Sequence, residues 1–243
     1  MKSRVLAAVF AVVLTAGILT GCGSTKTTDT AKTEDTKKEE TSSDKEVTQV
    51  PVSEEEAEAD GFSDGTDGET TLDTRKELTG IHHAGIDIKD YGSIEVELDA
   101  DTAPITVTNF VKLAQDGFYD GLTFWRIIDG FMMQGGDPKG NGTGGADETI
   151  KGEFSSNGVK NDISHVRGTI SMARSSDPDS ASSQFFIVQS DSTFLDGDYA
   201  AFGHVTEGMD VVDQICKDAK PTDDNGTIKA DEQPVIESIQ IKD

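Results

Sequence analysis

Apolar residues fall into two unequal regions of the 243-residue chain. The first runs without interruption from Val5 to Leu19. Residues 23–80 show no apolar period. From about residue 85 the pattern becomes that of a folded domain. Ser93 to Leu98 alternates polar and apolar residues, which predicts a half-buried strand. Val107, Phe110, Val111 and Ala114 follow at i, i+3, i+4 and i+7, one face of a helix. Pro104 suits its first turn, where a missing N–H costs nothing, and Gly117 is a natural stop. Short apolar runs return over 122–136 and end at Gly135-Gly136. Residues 137–165 are rich in Gly, Asn and Asp and predict a long loop. Further strands are expected over 168–172, 184–189 and 200–205. Met209, Val212, Ile215 and Cys216 outline a second helix, and a last strand over 234–241 places Ile239 and Ile241 on one side. Many short strands with two separated helices predict a mainly β domain, an antiparallel barrel or sandwich.

The segments before this domain carry different information. Lys2 and Arg4 precede the apolar stretch, which is too short to predict a membrane-spanning helix and suits a signal peptide. The stretch ends in Leu19-Thr20-Gly21-Cys22, which resembles the lipobox of bacterial lipoproteins. That resemblance implies cleavage after Gly21 and a lipid on Cys22. It puts the chain on the extracytoplasmic side, anchored to the cell membrane without spanning it. Residues 22–80 are polar and acidic, with Phe62 the sole aromatic. Such a composition cannot bury enough apolar surface to offset chain entropy, which predicts a disordered tether. As a flexible coil it would span roughly 40–45 Å. Residues 81–243 then form the single folded domain, expected to be a monomer.

The formal net charge is −25. A chain of this sign is repelled by phosphate backbones, which argues against nucleic acid as a partner. Cys216 lies in a helical pattern and is expected to be a small buried residue. His82 and His83 have no third ligand at metal spacing and are expected at the surface, so no metal is expected. Asp137 to Glu148 is glycine-rich but lacks the spacing of a calcium loop.

Candidate chemistry is concentrated in Phe124-Trp125-Arg126-Ile127-Ile128-Asp129-Gly130-Phe131-Met132-Met133-Gln134-Gly135-Gly136-Asp137. This segment resembles the cyclophilin signature F-x-R-I-I-x-G-F-M-x-Q-G-G-D at every fixed position. Two further blocks follow in the order the family shows. One is Ser171-Met172-Ala173 with Ser183-Gln184-Phe185-Phe186-Ile187. The other is Phe194-Leu195-Asp196-Gly197 with Ala201-Phe202-Gly203. The resemblance covers about 88–241. It implies an eight-stranded antiparallel β-barrel capped by two α-helices, acting as a peptidyl-prolyl cis-trans isomerase without a cofactor.

By that resemblance Arg126 is the catalytic arginine and Gln134 the glutamine that orients it. Phe131, Met132, Phe186 and Leu195 wall a proline pocket. Ala173 and Arg174 lie on the stretch whose backbone pairs with the peptide, and Gln184 stands at the rim. The substrates implied are proline-containing segments of exported proteins folding near the membrane. Strand alternation puts Phe185 in the core, facing away from Phe186, and has Trp125 facing away from Arg126. A second reading is a proline-peptide-binding chaperone or adaptor with incidental catalysis. Retention of both Arg126 and Gln134 favours the enzyme, because a binder has no use for a transition-state donor.

Three positions depart from the family pattern. Arg174 stands where the family has Asn, so only its backbone role carries over. By the resemblance Phe194 and Tyr199 also bind substrate. Phe194 stands where well-studied members carry Trp and still supplies a pocket wall, but the donor used to hold the cyclic peptide cyclosporin is missing. Tyr199 replaces a site histidine, which predicts little pH dependence of activity between about pH 6 and 8.

Overall fold

The computed structural model describes residues 74–243. The expected signal peptide, Cys22 and nearly all of the expected tether lie outside the described residues. The eight strands are β1 (Ile81–Ile88), β2 (Gly92–Asp99), β3 (Phe124–Ile128), β4 (Met132–Gly135), β5 (Thr169–Met172), β6 (Phe185–Val188), β7 (Ala201–Glu207) and β8 (Ile236–Ile241). Two helices accompany them, α1 (Pro104–Gln115) and α2 (Met209–Asp218). The strands form one sheet in the order β3-β4-β6-β5-β7-β2-β1-β8, and every neighbouring pair is antiparallel. The two outer strands are drawn together just before they begin. Thr123 bridges Val235, the Phe124 N–H donates to Pro234 O at 2.9 Å, and the Ile236 N–H donates to Leu122 O at 2.8 Å. Curling the sheet into a barrel in this way removes its exposed edges.

The interior is filled by alternate residues of each strand, as a period of two demands. Phe185 and Ile187 of β6 point into the main core, while Phe186 and Val188 point out of it. Phe110 from α1 meets Phe185 edge-on with ring centroids 5.5 Å apart, and Tyr119 lies 5.3 Å from Phe110. Such aromatic pairs add to the area they bury. Helix α1 packs on β2 and β8, and α2 on β2 and β4. Cys216 of α2 is buried as expected, and that burial pushes its thiol pKa up to about 12. Its thiolate is therefore absent at neutral pH.

One expectation is corrected here. His82 is largely buried, not a surface residue. It is the second residue of β1, a strand that local pattern did not reveal, and stands on the same side as Ala84, Ile86 and Ile88. Its Nδ1 pairs with the Asp243 carboxylate and its Nε2 with Thr79 O at 3.1 Å, so its polar atoms are satisfied under cover. His83, one residue on, is exposed. The expected loop over 137–165 is present and holds one 3-10 turn, Ser155–Asn157.

Candidate active site

The outward-facing side of three strands builds the site. Arg126 on β3 stands directly opposite Gln134 on β4, and Gln134 stands opposite Phe186 on β6. Cross-strand neighbours share a face, so these three side chains form one row on the outside of the barrel. Ile128, Met132 and Val188 form the next row in the same way. The row of Ile127, Met133 and Ile187 between them faces the core. Met132, Phe186 and Val188 thus make a small apolar cluster of their own, joined by Phe131, Ala173, Leu195 and Tyr199.

A pocket of about 120 Å³ opens over this cluster. Phe131, Met132, Phe186 and Leu195 supply its apolar walls. Arg126 and Gln134 supply its polar edge, and Ala173, Arg174 and Tyr199 complete the rim. A second pocket lies beyond Gln134 and Ala173, with Gln184 and the glycine-rich loop at Gly142 to Gly144 in its wall. Phe194, expected as a pocket wall, instead stands outside both pockets, 73% exposed, with its ring 5.6 Å from that of Phe131.

Arg126 is held from two directions. Its Nε donates to Asn225 O at 2.7 Å and its Nη1 to Gln134 Oε1 at 3.2 Å. Neither bond uses Nη2, so the outer end of the fork remains directed by the other two nitrogens. Partial burial draws the guanidinium pKa down, and the negative charge of Asp223 acts the other way. Gln134 Nε2 donates to Gln184 Oε1 at 3.0 Å, and Gln184 Nε2 donates to Gly144 O at 2.8 Å. Arg174 is fixed by cation–π contacts, its guanidinium carbon 5.0 Å from the Phe154 ring centre and 4.8 Å from that of Tyr199. The Ala173 N–H already donates to Gln184 O at 2.9 Å. Its carbonyl is what remains for an incoming peptide.

Trp125 is not where simple alternation expects it. The β3–β4 register shifts between Phe124 and Arg126, so Trp125 is an inserted residue with no direct partner. Such a bulge lets two consecutive side chains reach the same side. Trp125 Nε1 donates to Gln184 Oε1 at 3.0 Å, the oxygen that also accepts from Gln134. Without the register shift at Trp125, strict alternation from the inward Phe124 would turn Arg126 into the core.

His165, which no local motif singles out, is fully buried behind the pocket. Its Nδ1 pairs with Asp196 Oδ1 at 2.9 Å and its Nε2 with Ser171 Oγ at 3.0 Å. It packs against both Phe186 and Tyr199. Burial lowers its pKa, opposed by Asp196. The sequence signal for it is the approach of His165 to the strand carrying Ser171, which has meaning only once Asp196 is folded against it.

The chain matches the family model for "Cyclophilin type peptidyl-prolyl cis-trans isomerase/CLD" over residues 83–242. It is 48% identical over 123 residues to peptidyl-prolyl cis-trans isomerase B of Bacillus subtilis, covering 51% of this chain and 82% of that one. It is 46% identical over 162 residues to a peptidyl-prolyl cis-trans isomerase of Acinetobacter baylyi, covering 62% of this chain and 81% of that one. Among solved structures, a Cryptosporidium parvum cyclophilin type peptidyl-prolyl cis-trans isomerase superposes with a TM-score of 0.60 at 28% identity, over 68% of this chain and 99% of that one. The same protein in the presence of the dipeptide Ala-Pro matches with a TM-score of 0.59 at 29% identity, over 66% of this chain and 99% of that one.

Proposed function

The chain belongs to the cyclophilin-type peptidyl-prolyl cis-trans isomerases, and from that membership we propose that Arg126, oriented by Gln134, is the group that accelerates rotation about X-Pro bonds. The observation that carries this assignment is the shared row of Arg126, Gln134 and Phe186, which sets a guanidinium fork at the polar edge of an apolar pocket.

The barrier to the reaction is amide resonance, about 18–20 kcal/mol. Uncatalysed X-Pro exchange takes tens to hundreds of seconds. In the twisted transition state the resonance is lost and the proline nitrogen becomes pyramidal, with a lone pair. A donor that reaches this nitrogen stabilises the twisted state over both planar ones, which is the condition for raising the rate. Phe131, Met132, Phe186 and Leu195 hold the pyrrolidine ring by burying it. Arg126 then presents N–H donors that do not titrate near neutral pH. The electron pair stays with the substrate throughout, so the step needs no proton transfer and no covalent bond to the protein.

The substrates are proline-containing segments of exported proteins, met at the outer surface of a membrane to which Cys22 carries the lipid. The sequence around Cys22 and the acidic residues that follow it support this placement.

The test of the catalytic assignment is cis-to-trans exchange of an Ala-Pro peptide, followed with the full chain and with Arg126→Ala. The variant should be about 100-fold slower, equivalent to about 2.7 kcal/mol of barrier. Equal rates would remove Arg126 from the mechanism. For the anchor, Cys22→Ala should move the chain from the membrane fraction to the soluble one, and an unchanged distribution would count against lipidation.

A further inference from the structure

We propose that Trp125 is a positioning residue for Arg126, acting through its indole N–H on the two glutamines that lie between them. The proposal rests on the assignment of Arg126 made above.

A glutamine amide can present either its oxygen or its nitrogen to a given neighbour, and its partners decide which. An indole N–H can only donate, and a backbone carbonyl can only accept. Gln184 lies between one of each. Trp125 Nε1 requires its oxygen, at 3.0 Å, and Gly144 O requires its nitrogen, at 2.8 Å. With Gln184 Oε1 turned to the indole, Gln134 must approach that oxygen with Nε2, at 3.0 Å. The other end of the Gln134 amide is then Oε1, and this is the atom that accepts from Arg126 Nη1 at 3.2 Å. Were Gln134 reversed, its NH2 would face the guanidinium, donor against donor. The indole and Gly144 O together therefore set the polarity of both amides, and through them the acceptor that steers the fork of Arg126.

Trp125 also shapes the other end of the relay. A Cβ added at Gly142 would lie 2.6 Å from the Trp125 ring, so the glycine-rich loop rests directly on the indole. Gly142 has φ +86°, a conformation that favours glycine on its own account. The loop is tied down beneath by Asp137, whose carboxylate accepts N–H bonds from Lys139 at 2.8 Å, Asn141 at 3.0 Å and Gly142 at 2.5 Å. The ring thus supports the loop that carries Gly144 O, while its N–H fixes the opposite end of Gln184. The bulge that turns both Trp125 and Arg126 to the outer face makes the arrangement possible.

The experiment is Trp125→Phe in the full chain, which keeps an aromatic ring at this position but deletes the donor together with the outer ring atoms nearest Gly142. With an Ala-Pro peptide, kcat should fall about five-fold, the scale of one lost hydrogen bond, while KM stays within about two-fold. In an Arg126→Lys background the same substitution should cost nothing further, because the fork it positions is gone. Unchanged kcat in Trp125→Phe, a loss confined to KM, or the same loss in the Arg126→Lys background would each overturn the proposal. If Arg126→Lys itself exchanges at the parental rate, the assignment of Arg126 falls and this inference falls with it. If Arg126→Lys is slow and Trp125→Phe is not, this inference fails alone. A second readout does not depend on how Trp125→Phe folds. Trp125 is the only tryptophan in the chain, so its indole N–H gives one resonance. Arg126→Lys should shift that resonance, whereas Arg167→Lys, at an exposed ion pair with Asp213, should leave it in place. An indole signal insensitive to Arg126→Lys would also overturn the proposal.

Discussion

His165 lies face to face against Phe186, with ring centroids 5.9 Å apart and planes 17° from parallel. A wall of the proline pocket is therefore backed by a buried titratable ring. That ring is fixed on one side by Asp196 and on the other by Ser171.

Burial holds the folded-state pKa of His165 below its ordinary value of 6.5. The unfolded chain then binds a proton more readily than the folded one. The stability associated with His165 is complete above the unfolded pKa and declines as pH falls from about 6.5 toward the folded value. Urea midpoints measured from pH 7.5 to 5 should fall in the parent and fall less in His165→Gln. Isomerase activity should stay within about two-fold between pH 6 and 8, because no histidine lines the pocket and burial favours the neutral form of His165 behind it. A midpoint near 6.5 in the pH–rate profile would contradict this.

Phe185 and Phe186 are chain neighbours on opposite faces of β6, and their truncations should separate stability from activity. Phe185→Ala removes a fully buried ring from the main core and should destabilise by about 3–5 kcal/mol, read by denaturant unfolding. Phe186→Ala opens the pocket wall instead. It should lower kcat/KM by more than about ten-fold with a smaller loss of stability, since one side of its site already opens to the pocket. Equal effects of the two on both measurements would refute the division of β6 into a core face and a site face.

Phe194 is exposed beside Phe131 and carries no hydrogen-bond donor on its ring. Phe194→Trp adds an indole N–H at the pocket edge. Cyclosporin affinity, measured by calorimetry, should rise about ten-fold, in line with one added hydrogen bond in a partly desolvated site. Exchange of a short Ala-Pro peptide should change much less, because Phe194 stands outside the pocket that takes the proline. Parental and variant chains of equal cyclosporin affinity would show that the missing donor is not what limits binding.

Local pattern was enough for the elements that bury one face. Helix α1 follows from the spacing of Val107, Phe110, Val111 and Ala114, and β2 from strict alternation over Ser93 to Leu98, because each period directly states which residues leave water. The short signature around Arg126 was legible for a related reason: its residues are close in sequence and sit on two strands joined by a tight turn. Strand β1 was not legible, since His82, His83, Ala84 and Gly85 have little strand preference and are held there by β2 and β8. The bulge at Trp125 was hidden as well, because a register shift belongs to a pair of strands and not to either one. Nor could sequence order join His165 to Asp196, or Arg126 to Asn225 O, since those contacts cross 31 and 99 residues. The sequence by itself determined which side chains were available to the site and which faces had to be buried. Tertiary structure alone decided their aim, because the direction of Arg126 depends on a bulge, two amide orientations and a loop carbonyl supplied by four separate segments.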